Sequence, residues 1–270
     1  MRRLVAFAVA VTVFASACAS SGAADRIVVA AGTTVVDSGL VDELIAAYRR
    51  AYPSAPRFSV VAAGSTEVLA LGERGAADLL ISHLPAAEER FVADHPQAEV
   101  RPIFASRFVL VGPPGQGVVP SGTTPIGAFT AIAAAGARFV SRADRSGTHE
   151  RERDIWRRVG IDPTGRPWYL ETGQGMGFTL QVADQRGAFT LSELGAFRRA
   201  SGTLGLVVVE LRDPERLLAN PYRAIVVDPA ATPAASAFVE WLAGPNGRSA
   251  IVDANQELFA EVVYAPDPGA

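Results

Sequence analysis

Two stretches decide the fold class: Arg26-Ile-Val-Val-Ala-Ala-Gly-Thr-Thr34 and its later counterpart Phe58-Ser-Val-Val-Ala-Ala-Gly-Ser-Thr66. Each is a short apolar run with β-branched residues that ends in glycine and hydroxyls, which reads as a buried strand running into a turn. After the first, Leu40, Leu44, Ile45 and Tyr48 recur at helical spacing, with Asp37 or Ser38 able to cap the first turn. After the second, Glu67 to Arg74 reads as a helix. The same strand-turn-helix unit therefore occurs twice. Asp78 to Ser82 predicts a third strand, Ala86 to Ala93 a helix, and Phe104 to Val111 a longer strand stopped by Gly112-Pro113-Pro114-Gly115. This alternation predicts an α/β protein with a largely parallel sheet. Two hydroxyl-bearing turns, both following strands, then fall at one sheet edge, where open α/β folds bind ligands.

Further along, Phe129 to Ala135 predicts a helix and Arg138 to Ser141 a strand, followed by a helix carrying Trp156. An aromatic strand at Trp168-Tyr169 meets a glycine-rich turn and a helix over Phe178 to Arg186. Phe189 to Ser192, Leu204 to Val209 and Tyr222 to Val227 read as strands, Ala234 to Leu242 as a helix, and Pro266 to Ala270 as a frayed tail.

The 270 residues allow one large domain or two ordinary ones, and 49% hydrophobic with 20% charged content is that of a globular protein. A net charge of -3 argues against a general nucleic-acid binder. Every basic side chain is arginine; there is no lysine. At the N-terminus, Arg2 and Arg3 precede an apolar run from Leu4 to Phe14, and Ala15-Ser16-Ala17 leads directly into Cys18. That arrangement is a secretory signal, too short to span a membrane as a stable helix. Cys18 stands where a bacterial lipoprotein signal places its acylated cysteine, so residues 1–24 are expected to be a lipoprotein-type signal and tether; a plain signal cut near Ala17 or Ala24 is the alternative. As the single cysteine, Cys18 has no partner for an intramolecular disulfide.

The chemistry concentrates in Ser141-Arg-Ala-Asp-Arg-Ser-Gly-Thr-His-Glu150. An arginine, two small hydroxyls and a glycine stand where a helix begins, and a helix start offers free N–H groups and the positive end of the macrodipole. Arg142 presents a fork of donors suited to an oxyanion, although a surface salt bridge to Asp144 or Glu150 is the plainer alternative. Ser146 reads as a helix cap that can also face a ligand. A hydrolase built on Ser146 and His149 is disfavoured, because no nucleophile elbow is present. His83, His95 and His149 lack the spacing and the cysteine partners of a zinc site. Gly173-Gln174-Gly175-Met176-Gly177 has the wrong spacing for a dinucleotide fingerprint and reads as a tight turn that brings backbone N–H groups to the cleft. Thr34 and Ser65 are neutral donors whose weight comes from sharing one sheet edge.

Several stretches together resemble a known family: Asp37-Ser38-Gly39-Leu40, Leu71-Gly72-Glu73 with Ala77-Asp78-Leu79-Leu80, Pro85 to Val92, Phe108 to Pro114, the Arg142 motif, Glu171 to Gly177, and Asn220-Pro221-Tyr222. In this order they are similar to the TupA-type tungstate-binding proteins of bacterial ABC importers. The resemblance implies a two-lobed periplasmic-binding-protein type II α/β fold with a ligand cleft between the lobes. It places the first lobe at residues 25–108, the second at 109–203, and a return to the first at 204–265, with 266–270 as tail. It implies ligand donors at Thr33, Thr34, Ser65, Arg142, Ser146, Gly147 and Thr148, with Thr172 and Gly173 near. It implies a monomeric, non-enzymatic solute-binding protein, exported and anchored through Cys18, that delivers tungstate or molybdate to an ABC permease. No cofactor is expected, and metal enters only as the bound oxyanion. An anion-sensing module uncoupled from transport is the alternative. The chain departs from the family in having Val35-Val36 after the first turn, Glu67 where a carboxylate facing the cleft would repel an anion, Ala143 in place of a glycine, and a divergent Leu191 to Gly195.

Overall fold

A computed structural model describes residues 26–266. The expected signal, tether and Cys18 anchor, and residues 267–270 of the expected tail, lie outside the described residues. The chain runs β1 (Arg26–Gly32), α1 (Thr33–Asp37), α2 (Leu40–Ala51), β2 (Arg57–Ala63), α3 (Ser65–Glu73), β3 (Leu79–Ser82), α4 (Pro85–Asp94) and β4 (Glu99–Gly112). It continues through α5 (Pro125–Ala135), β5 (Phe139–Ser141), α6 (Gly147–Val159), β6 (Tyr169–Glu171), α7 (Met176–Arg186), β7 (Thr190–Glu193) and α8 (Leu194–Ser201). β8 (Val207–Val208), β9 (Ala219–Val226), α9 (Pro233–Ala243), α10 (Pro245–Phe259) and β10 (Ala265–Pro266) complete it.

The main sheet has the order β10-β4-β9-β3-β1-β2, with β7 and β8 pairing the far end of β4. It is mixed rather than largely parallel. β1 is parallel to β2 and β3, whereas β9 runs antiparallel to both β3 and β4. The reason lies in the path: the chain leaves the first lobe along β4 and comes back along β9, so adjacent strands must run oppositely. Residues 99–107 of β4 pair with β9, and residues 108–112 pair with β7 and β8. Pairing with the first sheet resumes at Ala219, and the expected tail residue Pro266 is paired with Phe104. A second, two-stranded parallel sheet joins β5 and β6.

Strand alternation explains the continuous apolar runs. In β1, Ile27, Val29 and Ala31 enter a core shared with Leu40, Leu44, Phe238 and Ile251 on one face, while Ala30 joins Val68, Leu80 and Phe91 on the other. In β4, Val109 and Val111 face the first of these cores, and Phe108 and Leu110 face a separate one built on Phe129, Phe139, Trp156 and Phe189. The ring of Trp156 lies 4.6 Å from that of Phe129 and 5.4 Å from that of Phe139, in the tilted and edge-on geometries aromatic pairs favour.

Three helices escape the sequence reading, the first being the short α1, whose residues read as a turn. α8 follows β7 without a loop, its start capped by Glu193, whose Oε2 accepts from Ala196 N at 3.0 Å. α10 opens at Gly244-Pro245 and buries only a thin face, with Gly247, Ile251, Ala254 and Asn255 inward. At α2 the expected Asp37 or Ser38 cap is replaced by Gly39 at φ 85° as N-cap, although Ser38 Oγ accepts from Leu40 N at 3.3 Å.

Candidate functional site

The loop between β5 and α6 is shaped by Asp144. Its Oδ1 accepts from Ser146 N at 3.1 Å, and its Oδ2 accepts from Arg142 Nε at 3.1 Å and Nη2 at 2.5 Å. Ala143 and Arg145 on either side adopt φ of 50° and 59°, the left-handed region that is costly for a residue with a Cβ. A glycine at position 143 would carry no such cost, which gives the Ala143 departure a physical meaning. Ser146 then caps α6, its Oγ accepting from His149 N at 3.4 Å.

Arg142 is 2% exposed. Its Asp144 pairing does not exhaust its donors: Nη2 also reaches Thr33 Oγ1 of α1 at 3.4 Å while Nη1 is buried with no partner. Thr148 is 1% exposed, and its Oγ1 is likewise buried without a partner. Two donors, one in the β5–α6 loop and one in the first turn of α6, are therefore withdrawn from water and unsatisfied, a costly arrangement unless something else accepts from them.

Across from α6 stand the starts of α1 and α3. Thr33 and Thr34 form the first turn of α1, and Ser65 is the first residue of α3 after Gly64. Thr34 and Ser65 are buried. The Ser65 hydroxyl is not free: it lies 2.9 Å from His83 Nε2, and His83 Nδ1 lies 2.7 Å from Asn220 Oδ1, whose Nδ2 donates to the Tyr222 hydroxyl at 3.2 Å. Backbone N–H groups are the remaining donors at the α3 start. His83 touches both sides of the cleft. A Cβ built on Gly147 would stand 2.2 Å from His83 Cε1, and one on Gly32 3.6 Å from Nε2, so only glycine at 147 lets α6 approach this closely. Sequence reading set His83 aside as one of three scattered histidines; its contacts are with residues 18 and 137 positions away, which no local pattern reveals. Burial lowers the His83 pKa to about 4, helped by Arg142 and Arg151 and opposed by the Asn220 hydrogen bond.

The remaining expected residues divide. The Thr172 hydroxyl is engaged locally, 3.1 Å from Ser141 O, 3.3 Å from Arg142 O and 3.0 Å from Thr179 Oγ1, so it braces the Arg142 loop from behind. Gly173, at φ 63°, is exposed and lies outside the buried donor cluster. Glu67 is turned away, ion-paired to Arg74 at 2.7 Å with its side chain 54% exposed. Val35 is buried and Val36 packs against the same core, so neither lines the site. A cavity of about 560 Å³ bordered by His149, Arg153, Trp156 and Tyr169 includes none of Thr33, Ser65 or Arg142.

Residues 18–246 match the family model of the PBP superfamily domain. The tungstate-binding protein TupA of Peptoclostridium acidaminophilum is 33% identical over 249 residues, covering 89% of this chain and 85% of that protein. This chain belongs to the TupA-type family within the PBP superfamily. Two solved structures agree with this TupA-type chain at similar identity. The tungstate-binding protein TupA from Desulfovibrio alaskensis G20 has a TM-score of 0.75 and 30% identity, over 90% of this chain and 99% of that one. The tungstate ABC transporter from Geobacter sulfurreducens has a TM-score of 0.74 and 32% identity, over 85% of this chain and 98% of that one. The TupA-type fold is the two-lobed one expected. Ser146 Oγ accepts from the His149 backbone, and His149 Nδ1 accepts from Arg145 N at 3.0 Å, so this serine and imidazole form no nucleophile-base pair. Among the described residues no cluster of three His, Cys, Asp or Glu could hold a metal ion, and no helix is long and apolar enough to cross a membrane.

Proposed function

We propose that this protein is the extracytoplasmic solute-binding component of an ABC importer and that it captures a tetrahedral oxyanion dianion, tungstate first and molybdate second. The observation that carries the reading is the pair of buried, unpartnered donors Arg142 Nη1, in the β5–α6 loop, and Thr148 Oγ1, in the first turn of α6, with the same Arg142 guanidinium reaching Thr33 through Nη2. Donors fixed in advance replace the hydration shell of a dianion, and helix starts add partial positive charge without adding side-chain charges. Ser146 and Gly147, the cap and first residue of α6, and Thr34 and Ser65 opposite complete the set.

In this reading residues 25–108 with 204–265 form one lobe and 109–203 the other, and closure on the anion presents a surface that the permease senses. The protein acts as a monomer, has no resident cofactor, and is held to the membrane by acylation of Cys18. The transport context of the relatives favours uptake over free-standing sensing. Calorimetric titration of the purified protein with tungstate, molybdate and sulfate tests the reading. Saturable heat with one anion per chain is expected; no heat and no thermal shift with any of the three refutes it. Radiolabelled palmitate incorporation that is lost in Cys18→Ser tests the anchor.

A further inference from the structure

His83 stands at the seam of the cleft in an arrangement that fixes the direction of its hydrogen bonds. Because Asn220 Nδ2 donates to Tyr222, Asn220 Oδ1 is the acceptor and His83 Nδ1 carries the proton. In neutral imidazole Nε2 is then the acceptor, and the Ser65 hydroxyl must donate its single proton to it across 2.9 Å. Ser65 Oγ is left with lone pairs only, the wrong polarity for an oxyanion. The ring has no freedom to turn away, since it stacks on Tyr222 at 4.8 Å and is covered by Gly147.

We propose that His83 is a proton-linked member of the anion site, taking up one proton on Nε2 as the anion is captured and so turning the Ser65 hydroxyl into a donor toward it. The inference rests on the oxyanion reading above. The proton comes from solvent, no other bond changes, and Nε2–H then donates to Ser65 Oγ. Each packed element contributes to the balance. Arg142, itself paired with Asp144, and Arg151 of α6, whose guanidinium lies over the Phe108 ring at 5.8 Å, oppose protonation. The end of β1 and the start of α3 face the ring through Gly32 and Ser65, which carry no charge, and β9 faces it with Asn220 and the Tyr222 phenol, which burial holds neutral. A dianion supplies the negative charge that this surround lacks.

The sign follows from linkage. The anion-free protein holds His83 neutral down to about 4, and the complex favours the protonated ring. Affinity therefore rises as pH falls, by at most about tenfold per pH unit for one proton, and levels off below the free-state value. Titration of the protein with micromolar tungstate near pH 6, in two buffers of different ionisation heat, counts the protons. Uptake of more than about 0.3 proton per anion is expected, and His83→Gln should bind with almost none. Less uptake in the native protein, or uptake retained in His83→Gln, which would assign the proton elsewhere, overturns the proposal. Absence of any binding heat overturns the oxyanion reading and this inference with it. Imidazole ¹⁵N shifts read the same event without a variant, since the chain has three histidines: tungstate should move one ring to the imidazolium pattern, and three unchanged rings refute it.

Discussion

Replacing Thr148 by valine separates the needs of folding from those of binding. The side chain is 1% exposed and its hydroxyl has no partner. An unpaired buried hydroxyl costs about 1–3 kcal/mol, and valine fills nearly the same volume with a methyl group. Threonine and valine have similar helix propensities, so the backbone contributes little to the difference. Thr148→Val should therefore stabilise the anion-free protein by about 1 kcal/mol or more, a rise of roughly 2–4 °C in Tm for a chain of this size. The same change removes a hydrogen bond to a charged acceptor, about 1.5–3 kcal/mol, so tungstate should bind roughly ten- to 150-fold more weakly. Thermal unfolding without anion and calorimetric titration with it measure the two halves. A lower Tm together with unchanged affinity would refute the reasoning, since the hydroxyl would then be serving the fold and not the ligand.

Arg142→Ala should weaken tungstate binding by about 1.5–3 kcal/mol and leave the Asp144 carboxylate uncompensated beside the anion; unchanged affinity by calorimetry would remove Arg142 from the site. Ala143→Gly relieves a φ of 50° at a cost in unfolded-chain entropy, so a net stabilisation of about 0.5–1 kcal/mol is expected from urea midpoints. The Glu193 carboxyl is pushed up to about 7 by burial, above its ordinary 4.5. Its contribution is therefore complete below about pH 4.5 and is lost as pH rises through about 7. The stability of the native protein relative to Glu193→Gln should fall by about 3 kcal/mol across that window, and a flat difference would contradict the assignment.

What the sequence disclosed was local. β1, β2 and β3 were legible because each is an apolar run bounded by turn residues, and the α6 start was legible because cap, arginine and hydroxyls fall within seven residues. Strand direction was not, because β4 and β9 meet only through the long path between them. Ser65 is legible as a turn hydroxyl after a strand, but its hydrogen-bond polarity depends on His83 and, through it, on Asn220, distant in sequence. The worry over Glu67 dissolves for the same reason: Arg74, two turns along the helix, draws the carboxylate outward, a preference that residue type alone does not express.

The continuity of β4 has a mechanical consequence. Residues 99–107 are laddered to β9 and 108–112 to β7 and β8 with no loop between them, so the two parts of the fold hang on a common beam rather than on a tether. Relative motion must bend that beam at Ser106 to Phe108, where Ser106 donates to the buried Glu193 carboxylate and Tyr264 donates to it from the C-terminal side at 3.2 Å. A beam of fixed hydrogen-bond register permits flexing along one direction and resists twisting and sliding. Under the proposed closure the two parts would meet in the same alignment each time, so that Arg142 Nη1 and Thr148 Oγ1 on one side would face the same partners on the other at every capture.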